Sequence, residues 1–92
     1  MIKSFGDRDT ELLAMGLTVP RFQSFEARAR LKLRQLQVAA SVQDLAVPPG
    51  NRFEKLRGNL NGHYSIRING QWRVIFCWHD GAAHDVTVVD YH

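Results

Sequence analysis

Cysteine is nearly missing from this chain. Cys77 is the single one in 92 residues, which rules out an intrachain disulfide framework and a thiolate metal cage. No apolar run approaches the length of a membrane span, and the opening Met-Ile-Lys-Ser-Phe-Gly-Asp-Arg-Asp lacks the apolar core of a secretion leader. These absences imply a cytoplasmic protein with no membrane partner. Repeats and low-complexity tracts are also missing. His63, His79, His84 and His92 show no HExxH-like spacing, and Asp80, Asp85 and Asp90 are too spread out for a two-metal nuclease. His79 and His84 flank one turn without an evident third ligand. There is no P-loop or dinucleotide fingerprint, so no cofactor and no metal are expected. Cys77 has no evident base beside it and reads as a structural thiol rather than a nucleophile.

What is present fits one compact unit over residues 1–92. The hydrophobic share of 45% and the charged share of 23% are ordinary for a globular domain. A chain of this length buries about 60–70% of the surface its unfolded form exposes, enough for one core with little margin. The formal net charge is +3, which favours polyanionic partners but does not by itself identify one.

The apolar pattern has period 3.6 in the first half and period 2 in the second. Ile2–Phe5 reads as a short edge strand. Asp7–Met15 reads as a short helix capped by Asp9 or Thr10 and stopped by Gly16. A second helix is expected from Arg21 to Ala40, because Phe22, Phe25, Ala29, Leu33, Leu36 and Ala40 form one stripe. Arg28, Arg30, Lys32 and Arg34 occupy its other side. A solvated face is the preferred reading of that basic run, with a docking face for an acidic partner next. Ser41 and Asp44 resemble a capping pair for one more turn, which Pro48-Pro49-Gly50 ends.

From residue 51 onward, Tyr64, Ile66 and Ile68 alternate with Ser65 and Arg67, and Trp72, Val74, Phe76 and Trp78 alternate with Arg73, Ile75 and Cys77. Val86–Tyr91 is a further β-rich run, and Phe53–Leu56 is a candidate first strand. Asn69-Gly70 and Asp80-Gly81 are hairpin signals. The expected class is therefore α+β: N-terminal helices packed on a small antiparallel meander. In the first hairpin, a three-residue loop with Gly70 left-handed would pair Ile66 with Trp72 and Tyr64 with Val74. It would also gather Ser65, Arg67 and Arg73 on the face away from the helices.

The second hairpin sets position 73 opposite about 88 or 89, so Asp90, Tyr91 and His92 end near Arg73 and Gln71. An arginine, a tyrosine, a histidine and a carboxylate thus converge at one sheet edge. Cleaving RNA without a metal calls for that kind of set: a proton must leave the ribose 2′-OH, another must reach the 5′-oxygen, and phosphoryl charge must be stabilised. Histidine titrates near neutrality, arginine forks onto phosphate, and tyrosine donates or stacks. Each residue taken alone has a plainer reading: His92 as a solvated tail, Arg73 and Asp90 as a surface ion pair, Tyr91 as the closure of a core edge. Arg52, Lys55, Arg57 and Arg67 supply further charge, as phosphate holders rather than base readers.

The run Phe53-Glu54-Lys55-Leu56-Arg57-Gly58, then Gly62 to Phe76 with Ser65-Ile66-Arg67-Ile68-Asn69-Gly70-Gln71-Trp72-Arg73, and finally Asp90-Tyr91-His92 resemble the HigB-type toxins of the RelE/ParE superfamily. Met1–Phe5 and the Pro-Pro-Gly-Asn-Arg run at 48–52 fit as well. The resemblance implies N-terminal helices on a twisted antiparallel sheet. It implies metal-independent mRNA cleavage in the ribosomal A site and neutralisation by a helix-turn-helix, HigA-like antitoxin that represses the shared operon. Operator DNA would then be met only through the antitoxin. By position, Arg73 would steady the transition state, His92 would transfer a proton, and Asp90 with Tyr91 would orient it; Gln71 and the basic residues would hold RNA. Glu54 and Arg57 depart from the family, which can carry His and Lys there, so the division of acid and base between Glu54 and His92 stays open. A ParE-like gyrase inhibitor and a decayed toxin acting only as co-repressor are the alternatives.

Overall fold

A computed structural model describes residues 1–91; His92 lies outside the described residues. Helix α1 (Arg8–Ala14) is started by Asp7, not by Asp9 or Thr10: Asp7 Oδ1 accepts from the Thr10 amide at 2.9 Å. Gly16 ends that segment at φ +90°, a conformation that costs glycine nothing. Thr10 is left free to turn inward. Its buried hydroxyl accepts from the Val88 amide at 2.9 Å and fastens the helix to the last strand.

The expected long second helix is divided. Pro20–Phe25 forms a 3₁₀ turn, and α2 is Glu26–Val38. Phe25, at φ −129° and ψ 20°, breaks the helical path between them. The break has a packing reason. Residues three apart eclipse in a 3₁₀ turn, so Phe22 and Phe25 point the same way and meet Trp72 at 5.7 and 4.9 Å between ring centroids. The apolar stripe continues through Ala29, Leu33 and Leu36, but ends on Ala39 rather than Ala40, which is exposed.

The basic run opposite the stripe is not a plain solvated face. Arg30 pairs with Glu26 at 2.6 Å and donates to the carbonyls of Leu13 and Leu17, tying α2 to the segment that ends α1. Arg28 reaches the Ile68 carbonyl at 3.4 Å. Lys32 is buried, and its ammonium donates to Asn51 Oδ1 at 2.6 Å. Burial, and secondarily the nearby Arg28, push the Lys32 amine below its ordinary value. Arg34 remains exposed. The 3₁₀ turn Val42–Ala46 carries the expected reciprocal capping of Ser41 and Asp44.

The sheet is an antiparallel meander ordered β1 (Glu54–Lys55), β2 (His63–Arg67), β3 (Trp72–His79) and β4 (Ala82–Asp90). Ile66, Val74, Phe76, Val86 and Val88 face the helices and are essentially fully buried against Leu13, Phe22, Leu33 and Leu36. The β3–β4 hairpin has the two-residue turn that Asp-Gly calls for: Asp80 and Gly81 both have positive φ, and His79 pairs with Ala82. Beyond it, the register shifts between Ile75↔Thr87 and Cys77↔His84, with the extra residue absorbed at Asp85 (φ 53°).

The β2–β3 hairpin differs from expectation by two residues. Ile66 pairs with Val74 and Tyr64 with Phe76. The Ile68 and Asn69 amides both donate to the Trp72 carbonyl, and Asn69 Oδ1 accepts from the amides of Gln71 and Trp72. The asparagine side chain thus closes the turn, and Gly70 is not left-handed. A slip of two preserves the faces, so Ser65, Arg67 and Arg73 still share the side away from the helices.

The free edge of β4 is covered. Ile2 and Phe5 make parallel bridges to Ala83 and Val86, and Ser4 accepts from Val86 through its carbonyl and from Asp85 through its hydroxyl. This N-terminal segment is therefore a strap of isolated bridges rather than a regular strand. A Cβ at Gly6 would collide with the Thr87 hydroxyl, so glycine permits the close approach.

Candidate active site

Register assembles the site on the face opposite the helices. Glu54 pairs with Ser65, and Arg73 lies between Arg67 on β2 and Val89 on β4. Tyr91 follows β4, its amide donating to the Gln71 carbonyl at 2.7 Å. Alternation turns Glu54, Ser65, Arg67, Arg73 and Tyr91 to one side.

Arg73 is held from two directions. Nε donates to the buried Ser65 Oγ at 2.9 Å, and Nη2 donates to the Arg52 carbonyl at 2.6 Å. The guanidinium carbon sits 5.3 Å from the centre of the Tyr91 ring, and Tyr91 Oη donates to Glu54 Oε1 at 3.5 Å, a long contact. Burial lowers the Arg73 pKa, Glu54 and Tyr91 oppose that shift, and Arg67 and Arg52 add to it. The group still carries its charge at neutral pH. Among the described residues its remaining N–H groups have no hydrogen-bond partner, which suits an oxygen-rich ligand. Arginines 67 and 73 sit directly opposite each other across two strands, an arrangement that repels unless an anion or a carboxylate intervenes.

The expected site residues divide in position. Arg73, Tyr91, Glu54, Arg52 and Arg67 come together. Asp90 does not join them: it pairs with Trp72, on the helix side of the strand, and its carboxylate accepts from Gln71 Nε2 at 3.0 Å. Gln71 is correspondingly turned to Asp90. Lys55 pairs with Tyr64, so the pleat sends it to the opposite side from Glu54. Arg57 is exposed beyond the end of β1, at the entry to the 58–60 turn. The placement proposed for His92 beside Arg73 falls outside the described residues. Ser65 was assigned to the correct face but not to the site; a small hydroxyl inside an outward-facing row of charged residues was its only signal. The Arg52 carbonyl gave none, since its role arises from backbone conformation.

The cluster lies on an open face. Two concavities lie elsewhere: one of about 450 Å³ lined by Ile2, Met15, Leu33 and Arg34 among others, and one of about 520 Å³ beside Gln23, Arg28 and Asn69. An open face with a tethered cation suits a polymer laid across it better than an engulfed small molecule. Farther along the same face, Cys77 Sγ lies 3.2 Å from His63 Nε2, and His79 and His84 stack at 3.6 Å. Burial, and then Asp85, raise the Cys77 thiol pKa, which disfavours the thiolate. Among the described residues no group of three such side chains is arranged to hold a metal ion, and no helix is long and apolar enough to cross a membrane.

Residues 18–92 match the family model for the RelE-like toxin of type II toxin–antitoxin system HigB. Toxin HigB-1 of Vibrio cholerae serotype O1 is 54% identical over 61 residues, which are 66% of this chain and 63% of that protein. The match therefore spans somewhat less than two thirds of that relative's length. Endoribonuclease HigB of Proteus vulgaris is 29% identical over 97 residues, with full coverage of both chains. Among solved structures, the YoeB–YefM complex from Staphylococcus aureus contains a chain with the same fold, at a TM-score of 0.57 and 21% identity, covering 100% of this chain and 98% of that one.

Proposed function

Because the chain belongs to the HigB family of RelE-like type II toxins, we propose that it is a ribosome-dependent endoribonuclease that cuts mRNA in the A site and so blocks translation. The observation that carries the reading is the doubly tethered Arg73, set between Tyr91 and a second arginine with Glu54 in reach. In this reading the 2′-oxygen of the ribose attacks the adjacent phosphorus while its proton passes to a base. The bond from phosphorus to the 5′-oxygen breaks, and an acid returns a proton to that oxygen, leaving a 2′,3′-cyclic phosphate. Arg73 stabilises the added phosphoryl charge, because its free N–H groups face the strand while the others are fixed to the protein. Tyr91 orients the carboxylate of Glu54. Glu54 and His92 divide the base and acid roles. The chemistry assigned to these residues needs no cofactor.

Arg52, Arg57 and Arg67 hold phosphates, and Lys55 extends the basic surface along the edge of β1. Asp90 and Gln71 brace the end of β4 rather than touch the reacting atoms. The protein works in the cytoplasm, where ribosomes are. It is silenced by a HigA-like helix-turn-helix antitoxin, through which alone it meets operator DNA; a solved relative in complex with YefM supports a partner of antitoxin type. The expected basic docking face is reduced, since Arg28, Arg30 and Lys32 are engaged inside the fold. Inducing the protein alone and mapping transcript ends tests the reading. Cuts within translated codons support it. DNA breaks with intact transcripts would point to a gyrase inhibitor, and neither effect to a co-repressor.

A further inference from the structure

Asn51 precedes Arg52 of the cluster in the chain; it is fully buried, and both ends of its side-chain amide are hydrogen-bonded. Its Oδ1 accepts from Lys32 Nζ at 2.6 Å, and its Nδ2 donates to Gln35 Oε1 at 2.9 Å and to the Leu45 carbonyl at 3.1 Å. One side chain thereby joins α2, the 42–46 turn and the loop that enters β1. The next residue, Arg52, sits at φ 45° and ψ 52°, where a residue with a Cβ is held only if its surroundings dictate it. The backbone is gathered on both sides of this point: the Asn51 amide donates to the Pro48 carbonyl and the Arg52 amide to the Pro49 carbonyl. The carbonyl aimed by that conformation is the one that receives Arg73 Nη2 at 2.6 Å. A buried asparagine therefore lies one residue from the backbone oxygen that sets the direction of the guanidinium.

We propose that Asn51 is a positioning residue for Arg73, acting through the Arg52 carbonyl. The inference rests on the nuclease reading of the Arg73 cluster for its effect on rate, though not for its effect on geometry. Lys32 belongs to the same device, since it supplies the donor that fixes the asparagine's rotamer.

The test combines kinetics with a direct probe of the guanidinium. Single-turnover cleavage on programmed ribosomes is measured for the parent, Asn51→Ala, Arg73→Ala and the double variant. Misplacing a catalytic group by about an ångström lowers rate by up to about 10²-fold, so Asn51→Ala should lose roughly 10- to 100-fold. In the Arg73→Ala background it should lose nothing further. Hydrogen exchange of the Arg73 Nε–H, followed by NMR, should accelerate in Asn51→Ala. It should stay parental in Leu13→Ala, a core truncation in α1 that lowers stability without touching the loop. If Asn51→Ala does not fold, Asn51→Asp makes the same test: it keeps the volume and an acceptor for Lys32 but cannot donate to Gln35 or Leu45. Additive losses in the double variant, or unchanged Arg73 exchange, would overturn the proposal. A parent that cuts no transcript would sink the nuclease reading alone, and the exchange measurement would still decide the geometry.

Discussion

Replacing Arg73 by lysine keeps the formal charge and removes the fork. In the parent, Nε is committed to Ser65 and Nη2 to the Arg52 carbonyl, so the guanidinium is braced at two of its nitrogens. A lysine ammonium is a single point at the end of a flexible stem and cannot satisfy both tethers and a phosphate at once. Two consequences follow at different magnitudes. The Ser65 hydroxyl is fully buried, and leaving such a group without its partner costs about 1–3 kcal/mol. For a domain of this size each kcal/mol lowers Tm by about 4–8 °C. On the proposed nuclease reading the rate consequence is larger, because losing one fixed donor from a transition-state site costs about 10²–10³ in kcat. Single-turnover cleavage on programmed ribosomes, read beside a melting curve, separates the two. Arg73→Ala sets the floor and Arg73→Lys should fall close to it. If Arg73→Lys cleaves like the parent, charge alone suffices and the tethered-fork argument is wrong.

Phe76→Ala should cost about 3–5 kcal/mol in urea denaturation, since the ring is completely buried between sheet and helices. Removing Arg67 should reduce the salt dependence of ribosome binding by up to about 0.7 in log–log slope for a single-stranded substrate, and unchanged slope would remove it from the phosphate contacts. Lys32 offers a pH test: its folded pKa lies below the ordinary 10.5. The unfolded chain therefore binds more protons between the two values, and stability should rise with pH through that window. Lys32→Met should flatten this slope relative to the parent. His92→Gln should lower cleavage by roughly 10²–10⁴-fold if the side chain moves a proton, and full activity would leave Glu54 as the base.

The sheet was legible because both of its signals are local. Alternation names the faces, and Asp80-Gly81 takes the turn its residue types prefer; counted from that turn Arg73 would face residue 88, and the bulge at Asp85 moves it to 89, the other of the two positions expected. Asn69-Gly70 misled because the asparagine side chain itself replaces a backbone turn, which moves the pairing by two without changing any face. The division of the long helix was hidden by Phe22 and Phe25, whose spacing of three suits both an α-helix and a 3₁₀ turn; Trp72, fifty residues away, selects between them. The basic run misled for the same reason, because its partners Leu13, Leu17, Asn51 and Ile68 are remote in sequence. The nearness of Arg73 and Tyr91 followed from register, and Glu54 was singled out only through the family resemblance. Asn51 and the Arg52 carbonyl were not found, since a backbone oxygen has no residue type to announce it.

The strap along β4 makes the order of folding matter. Ser4 and Asp85 meet across 81 residues of chain, so the strap cannot settle until β4 is there to receive it. The β3–β4 hairpin can form early and locally, but closing so long a loop carries an entropic cost that is recovered only when the sheet is nearly whole. Arg73, whose neighbours Ser65, Tyr91 and the Arg52 carbonyl lie on three separate segments, has its full surroundings only when the sheet is whole. A chain whose sheet is still open thus carries an unfinished site.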